Sequence, residues 1–342
     1  MRCLAPNLWG WLGDVTGRRL TIVRLGTLFT ALAFTGIFYR QDYLWLAMIM
    51  ALHSFFWHAV LPQFEAITLS HLGAQSSRYS MVRLWGSVGF IGTVVGLGLL
   101  LQIFSLDVYP MAMLGIMLGI FFCSLTVPAA PATKPNHNVI NAEGFLRSLR
   151  RSGVLAFFLC AGLMQFSHGP YYTFLTLHLE ALGYSRSVIG LLWALGVVAE
   201  ILLFLVMARV LARFTLKQLL VTSLLLAALR WLLLGTLADS LSALLFAQLL
   251  HAATFGCFHV AAIHFIQRSF DDRLQGQGQA LYATLSGMGG ALGALYAGYS
   301  WNTIGAFWTF ALAGLAALLA AIVLLRCLPS INSTTGQGHT FS

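Results

Sequence analysis

An all-α protein that crosses a membrane many times is predicted by three features of the sequence: its apolar bulk, the length of its apolar runs and the placement of its few charges. Of 342 residues, 59% are hydrophobic and only 8% charged, whereas about a quarter of a soluble domain is charged. Apolar runs of about 20 residues recur with polar punctuation between them, the length a helix needs to cross roughly 30 Å of hydrocarbon. A transmembrane β-barrel would instead alternate along segments of about 10 residues, and no such pattern is present.

The apolar runs fall at 20–38, 43–70, 84–105 and 109–127, then at 153–178, 187–208, 218–237, 241–266, 280–299 and 303–326. Ten transmembrane helices are thus expected. Between the fourth and fifth lies the longest polar segment, 128–152, with Pro128, Pro131 and Pro135 ahead of the basic run Arg147 to Arg151. The expected organisation is a first half over 1–127, a linker over 128–152, a second half of six helices over 153–327 and a tail over 328–342.

Lys and Arg are retained on the cytoplasmic side of membrane proteins. One set of alternate loops holds Arg18, Arg19, Arg78, Lys134, Arg147, Arg209, Arg213, Lys217, Arg268 and Arg326 among others, and the opposite loops hold only Arg40 and Arg186. The linker and the C-terminus are therefore expected in the cytoplasm, the protein in a bacterial inner membrane. The net charge of +9 serves this bias and the anionic leaflet and does not point to nucleic acid. Five scattered cysteines read as small packing residues. No P-loop is present and the chain has just two lysines, Lys134 and Lys217, so ATP-driven pumping is not expected. No nucleophile–base pair and no metal-ligand spacing is evident; His53 and His58, like His259 and His264, are five apart, not the three or four that place two ligands on one helical face. These four are expected to be helix-contact histidines, and the chain is expected to be no enzyme and to need no cofactor beyond a proton gradient.

Two six-helix halves related by an axis along the membrane normal are an architecture of secondary transporters. The second half here has six helices and the first is two short; residues 1–13 read as the inner end of a second helix, so an N-terminally truncated form of that fold is expected. The loop that follows carries Gly10, Asp14, Gly17, Arg18 and Arg19, a G-x-x-x-D-x-x-G-R-R pattern. Its glycines would allow a tight turn, and its acid and basic pair would bond helix ends at the cytoplasmic face. Two runs are glycine-laden, 86–98 and 287–298, and both present small-xxx-small faces for close backbone approach.

An ionisable group inside a membrane span is costly and by default functional. Glu65, Arg83, His168, Glu200, Arg230, His251 and His259 qualify. Glu200 and Arg230 lie roughly 12 Å and 18 Å from the cytoplasmic ends of their helices, close enough in depth to pair, and His251 lies near the midplane, roughly 15 Å below the outer face. Spacings of three and four place His168 above Tyr171 and Tyr172 on one face, where Gly169-Pro170 would break the helix.

The loop pattern resembles the signature loop between the second and third helices of major facilitator proteins. The segments V-R-L-W-G-S at 82–87, H-G-P-Y-Y at 168–172, G-Y-S at 183–185, L-G-V-V-A-E at 195–200 and L-H-A-A-T-F at 250–255 resemble, in order, the 3-phenylpropionate transporter family of that superfamily, itself related to the lactose permease group of proton symporters. The resemblance implies a major facilitator fold with ten full helices and a stub, in which the glycine runs belong to the fifth and eleventh helices, at the moving interface. It implies a substrate site at Glu65, Arg83, Phe90, His168, Tyr171 and Tyr172, with Glu65 and Arg83 spaced like the permeases' sugar-binding pair. Proton coupling would fall to Glu200, Arg230 and His251. Thr254 stands where the permeases carry a glutamate, which leaves the proton carrier open between Glu200 and His251, and Phe90 replaces a sugar-stacking tryptophan. The expected partners are a small solute, protons and the bilayer, with the chain acting as a monomer. The function this implies is uptake of an aromatic monocarboxylate with protons; nucleoside or oligosaccharide symport, drug efflux and a non-transporting receptor are the alternatives.

Overall fold

The computed structural model describes residues 5–72, 79–128, 142–271 and 274–328. Among these the chain is helical and without strands: α1 (Ala5–Thr16), α2 (Arg19–Phe34, continued by a 3-10 turn at Thr35–Phe38), α3 (Tyr43–Leu72), α4 (Tyr79–Ile103), α5 (Val108–Thr126), α6 (Ala142–Leu149), α7 (Ser152–Ser167), α8 (Gly169–Ala181), α9 (Arg186–Arg213), α10 (Leu216–Thr236), α11 (Leu241–Leu249), a π-helical turn (Ala252–Cys257), α12 (Phe258–Ser269) and α13 (Gln275–Cys327). Nine helical stretches among the described residues are long and apolar enough to cross a bilayer. The last, α13, makes two crossings. Its 53 residues would run about 80 Å if straight, but Gly305 adopts φ 81° and ψ 172°, a positive-φ conformation open chiefly to glycine. There the chain doubles back, and the Tyr296 hydroxyl donates to the Thr309 carbonyl at 3.1 Å while Thr309 Oγ1 donates to Ser300 Oγ at 3.0 Å. The ten apolar runs read from the sequence are thus all helical crossings, because run length and composition are local properties.

Residues 1–137 and 138–342 form two compact units. In the first, α1 packs on α3: Gln63, almost fully buried, donates from Nε2 to the Trp9 carbonyl at 3.0 Å and accepts from Arg19 at 3.3 Å. Gly17, at φ 65°, turns the chain from α1 into α2. Of the two glycines expected to form that loop, only Gly17 does so; Gly10 lies inside α1, since α1 runs through most of the signature pattern. Arg18 is exposed, and the Asp14 side chain lies outside the described residues. Residues 129–141 of the linker also lie outside them; the rest of it includes α6, a helix that the polar composition did not suggest.

In each unit a cation near the start of one crossing reaches the carbonyls at the end of the unit's last crossing. Arg24 on α2 donates to the carbonyls of Ser124, Leu125 and Val127 at 3.2–3.4 Å, and Lys217 on α10 donates to the Leu325 carbonyl at 2.8 Å. The last carbonyls of a helix have no partner within it and carry its negative dipole end, so a cation there is stabilising. Arg24→Ala is expected to destabilise the first unit by about 1–2 kcal/mol, read as a lower unfolding temperature in detergent with the second unit unaffected.

The second unit holds the larger core, built on Phe157, Phe158, Trp231, Phe265 and Phe310. Its tightest seam joins α7 and α8 to the first arm of α13. A Cβ on Gly289 would strike the backbone of Gly162, one on Gly293 that of Phe166, and one on Gly169 that of Gly293. In the first unit the matching glycines of α4 behave differently: Cβ atoms on Gly89, Gly92 and Gly96 would meet nothing within 4 Å. Among the glycines described, the close backbone approach expected of both runs is therefore seen at Gly289 and Gly293 and not at Gly89, Gly92 or Gly96.

Candidate functional site: a buried arginine bridged to an acid through histidine

Arg230 is fully buried on α10, in a span where an uncompensated charge costs several kcal/mol. Its guanidinium is held on every side. Nε donates to the Ala247 carbonyl at 2.8 Å, Nη1 to His251 Nδ1 at 3.1 Å and to Thr254 Oγ1 at 3.3 Å, and Nη2 to Gln248 Oε1 at 3.0 Å. The acceptors at 247, 248, 251 and 254 come from successive turns of one helix, at spacings that share a face. The guanidinium carbon also lies 4.1 Å from the Tyr171 ring centroid and 4.9 Å from that of Trp231, cation–π contacts that favour Arg in a desolvated site.

His251 connects this group to Glu200. An arginine N–H can only donate, so Nδ1 accepts and the neutral ring carries its proton on Nε2. That Nε2 lies 3.9 Å from Glu200 Oε2. Gly256 eases the approach, since a Cβ there would sit 3.0 Å from Glu200 Cγ, whereas one on Gly196, one turn before Glu200 on α9, would lie at an ordinary contact distance of 3.5 Å from the imidazole. Gly256 belongs to the π-helical turn, a distortion that recurs at functional sites. Of the Glu200–Arg230 pairing expected from depth, the structure shows an indirect arrangement: the hydrogen bonds of Arg230 go to neutral acceptors, and Glu200 lies on the far side of the imidazole, 3.9 Å from Nε2. Depth along two helices is readable from sequence, whereas the rotation that put α11 and the π turn between them is not.

His168 and Tyr171 require a correction. The His168 ring is fully buried, its Nδ1–H donating to the Met164 carbonyl at 2.8 Å, and it packs edge-on to Trp231 at 4.8 Å. Tyr171 is 1% exposed and donates to Gln248 Oε1 at 3.2 Å, while Tyr172 is 49% exposed. The three do not share an open face, because positions three and four residues on diverge by about 100° around a helix; Tyr171 turns inward and Tyr172 outward. The predicted break at Gly169-Pro170 is present, between α7 and α8.

Glu65 is half-buried on α3 and Phe90 is 42% exposed on α4; the Arg83 side chain lies outside the described residues. Sequence reasoning missed Gln248, which joins Arg230, Tyr171 and the Leu192 carbonyl, the last at 2.9 Å. The signal was there: a lone amide in the apolar run 241–250, three residues before His251. Thr254, seen as a departure from the permeases, supplies a hydroxyl acceptor to Arg230.

Arg230→Lys is expected to abolish transport despite keeping the charge, because one ammonium cannot reach four acceptors that a planar fork satisfies together. Transport at the wild-type rate by the lysine variant, with normal protein levels in the membrane, would contradict this geometry.

A sequence model of the MFS_1 like family matches residues 1–312. The chain is 29% identical over 318 residues to the "Probable 3-phenylpropionic acid transporter" of Escherichia coli (strain K12), covering 88% of this chain and 80% of that protein. It is 26% identical to the maltose permease of Geobacillus stearothermophilus over 94% of this chain and 82% of the permease. Among solved structures, the nucleoside transporter NupG superposes with a TM-score of 0.79 at 15% identity, over 95% of this chain and 87% of that one. The POT family transporter PepTSo gives 0.72 at 12% identity, over 95% and 86%.

Proposed function

We propose, for a chain that belongs to the MFS_1 like family and is a multi-pass secondary transporter of the major facilitator fold, that it takes up a small aromatic monocarboxylate together with a proton. The observation that carries the coupling half is the series Arg230–His251–Glu200. Arg230 donates to Nδ1, so His251 can become an imidazolium only by releasing Arg230. Glu200 has no such restriction, since a carboxylic acid accepts or donates with little change in shape. This favours Glu200 as the carrier, with His251 as the orienting bridge. A buried guanidinium gains from the carboxylate and loses that gain when it is protonated, so loading Glu200 loosens the contact between α9, α10 and the π turn. That is the kind of bias an alternating-access cycle needs.

The solute class rests on the relative named for 3-phenylpropionic acid and on aromatic lining. Tyr172, with Trp193 stacked beside it at 6.2 Å, presents ring faces against which a flat solute can pack. Arg230 is an unsuitable carboxylate ligand, being enclosed and already engaged, so the solute's acid group is assigned to Arg83 or to a surface polar group. The basic loops favour a linker and C-terminus on the cytoplasmic side of a bacterial inner membrane, and the proposal takes the chain as a monomer.

The test is counterflow in proteoliposomes preloaded with 3-phenylpropionate, with maltose and uridine as competitors. Exchange of the aromatic acid, unaffected by the other two, is expected. Exchange of maltose or uridine without the acid would overturn the substrate assignment, and no exchange of any of them would favour a receptor.

A further inference from the structure

His259 is one of the span histidines that the site above does not use, and its surroundings differ from those of His251 in a way that matters for protons. It lies on α12, three residues beyond Gly256, the residue on which Glu200 packs. That spacing keeps it on the same side of the helix and roughly 4.5 Å further along the axis toward Arg268. The Glu200 side chain retains 17% exposure and His259 is exposed, so neither is sealed inside the helix packing. The Tyr282 hydroxyl, on the first arm of α13, lies 3.2 Å from His259 Nδ1. Tyr282 is itself anchored: its ring is 6% exposed and stacks on core Phe157 at 6.2 Å.

The partners decide what each histidine can do. Arg230 only donates and so tolerates His251 in the neutral form alone. A phenol both donates and accepts, so by rotating its O–H Tyr282 donates to a bare Nδ1 or accepts from a protonated one. His259 is thereby held in place in both protonation states, which is what a group that repeatedly gains and loses a proton requires.

Resting on the symport reading above, we infer that His259, positioned by Tyr282, is the relay through which the proton carried at Glu200 exchanges with the basic end of the second unit. The proton leaves the Glu200 carboxyl through intervening water and adds to the imidazole. The imidazolium then releases a proton to water at the Arg268 end, leaving Glu200 a carboxylate and His259 neutral; no electrons change hands. The titratable and charged groups around the route are Tyr282 on α13, Glu200 on α9, and His251, His264 and Arg268 along His259's own crossing.

The experiment compares wild type, His259→Gln and Tyr282→Phe in proteoliposomes, recording solute-induced proton movement with a pH electrode and, separately, counterflow at equal pH, using the solute that passes the counterflow screen. Glutamine keeps a hydrogen-bonding group toward Tyr282 but cannot carry a proton. His259→Gln is expected to slow proton-coupled net uptake at least about tenfold while counterflow stays at the wild-type rate. Tyr282→Phe is expected to slow net uptake less and to shift its pH profile. Wild-type rates in both modes for His259→Gln overturn the relay, as does an equal loss in both modes, which marks a packing role. A wild type that exchanges solute but moves no protons removes the symport reading and the relay with it, an outcome distinct from the other two.

Discussion

Glu200→Gln is expected to eliminate accumulation of solute against its gradient while leaving exchange of labelled solute largely intact. The substitution keeps the volume of the side chain packed over Gly256 and keeps a hydrogen-bonding group toward His251 Nε2, 3.9 Å from the carboxylate. What it removes is the negative charge that compensates Arg230 through the imidazole, and with it the capacity to take up a proton. Arg230 remains held by the Ala247 carbonyl, Gln248 and Thr254, so the unit should still fold. Uptake driven by an imposed pH gradient, measured beside counterflow at equal pH, separates the two activities. Uphill uptake at the wild-type level would take Glu200 out of the coupling role.

The second large effect is on folding. Gly293→Ala is expected to destabilise the second unit by about 3 kcal/mol, the upper part of the range for overpacking, because the added methyl meets the Phe166 backbone. A side chain can rotate away from an intruding methyl; a helix backbone moves only by separating α7 from α13 along the whole seam. Gly289→Ala, against Gly162, should behave in the same way. The control is internal: Gly92→Ala and Gly96→Ala on α4 add a methyl where nothing lies within 4 Å, and should change little. Thermal unfolding in detergent of the four variants makes the comparison. Similar midpoints for Gly92→Ala and Gly293→Ala would show that the seam is looser than drawn.

The two glycine runs show where sequence reading stops. In the sequence they are near equivalents, since Gly89, Gly92 and Gly96 and then Gly289, Gly290 and Gly293 permit the same approach. A glycine only removes an obstacle; whether a backbone fills the space depends on a helix elsewhere in the chain. The same holds for the polar residues. That Glu200, Arg230 and His251 matter was legible, because an ionisable residue in an apolar run is conspicuous whatever surrounds it. That the histidine lies between the other two, that Gln248 shares the arginine, and that Tyr171 turns inward while Tyr172 faces out all depend on how one helix is rotated about its axis against the next.

The sequence by itself determined the membrane class, the ten crossings and the identity of the buried charges. A helix in lipid satisfies its own backbone hydrogen bonds, so its existence is fixed by some 20 consecutive residues and needs no partner. The tertiary structure decided which acceptor each buried donor finds. Lipid exerts no hydrophobic force between apolar helices, so their rotation and register come from close packing and a few polar contacts. Those contacts join residues as far apart as Glu200 on α9 and His251 ahead of the π turn, or Gly162 on α7 and Gly289 on α13.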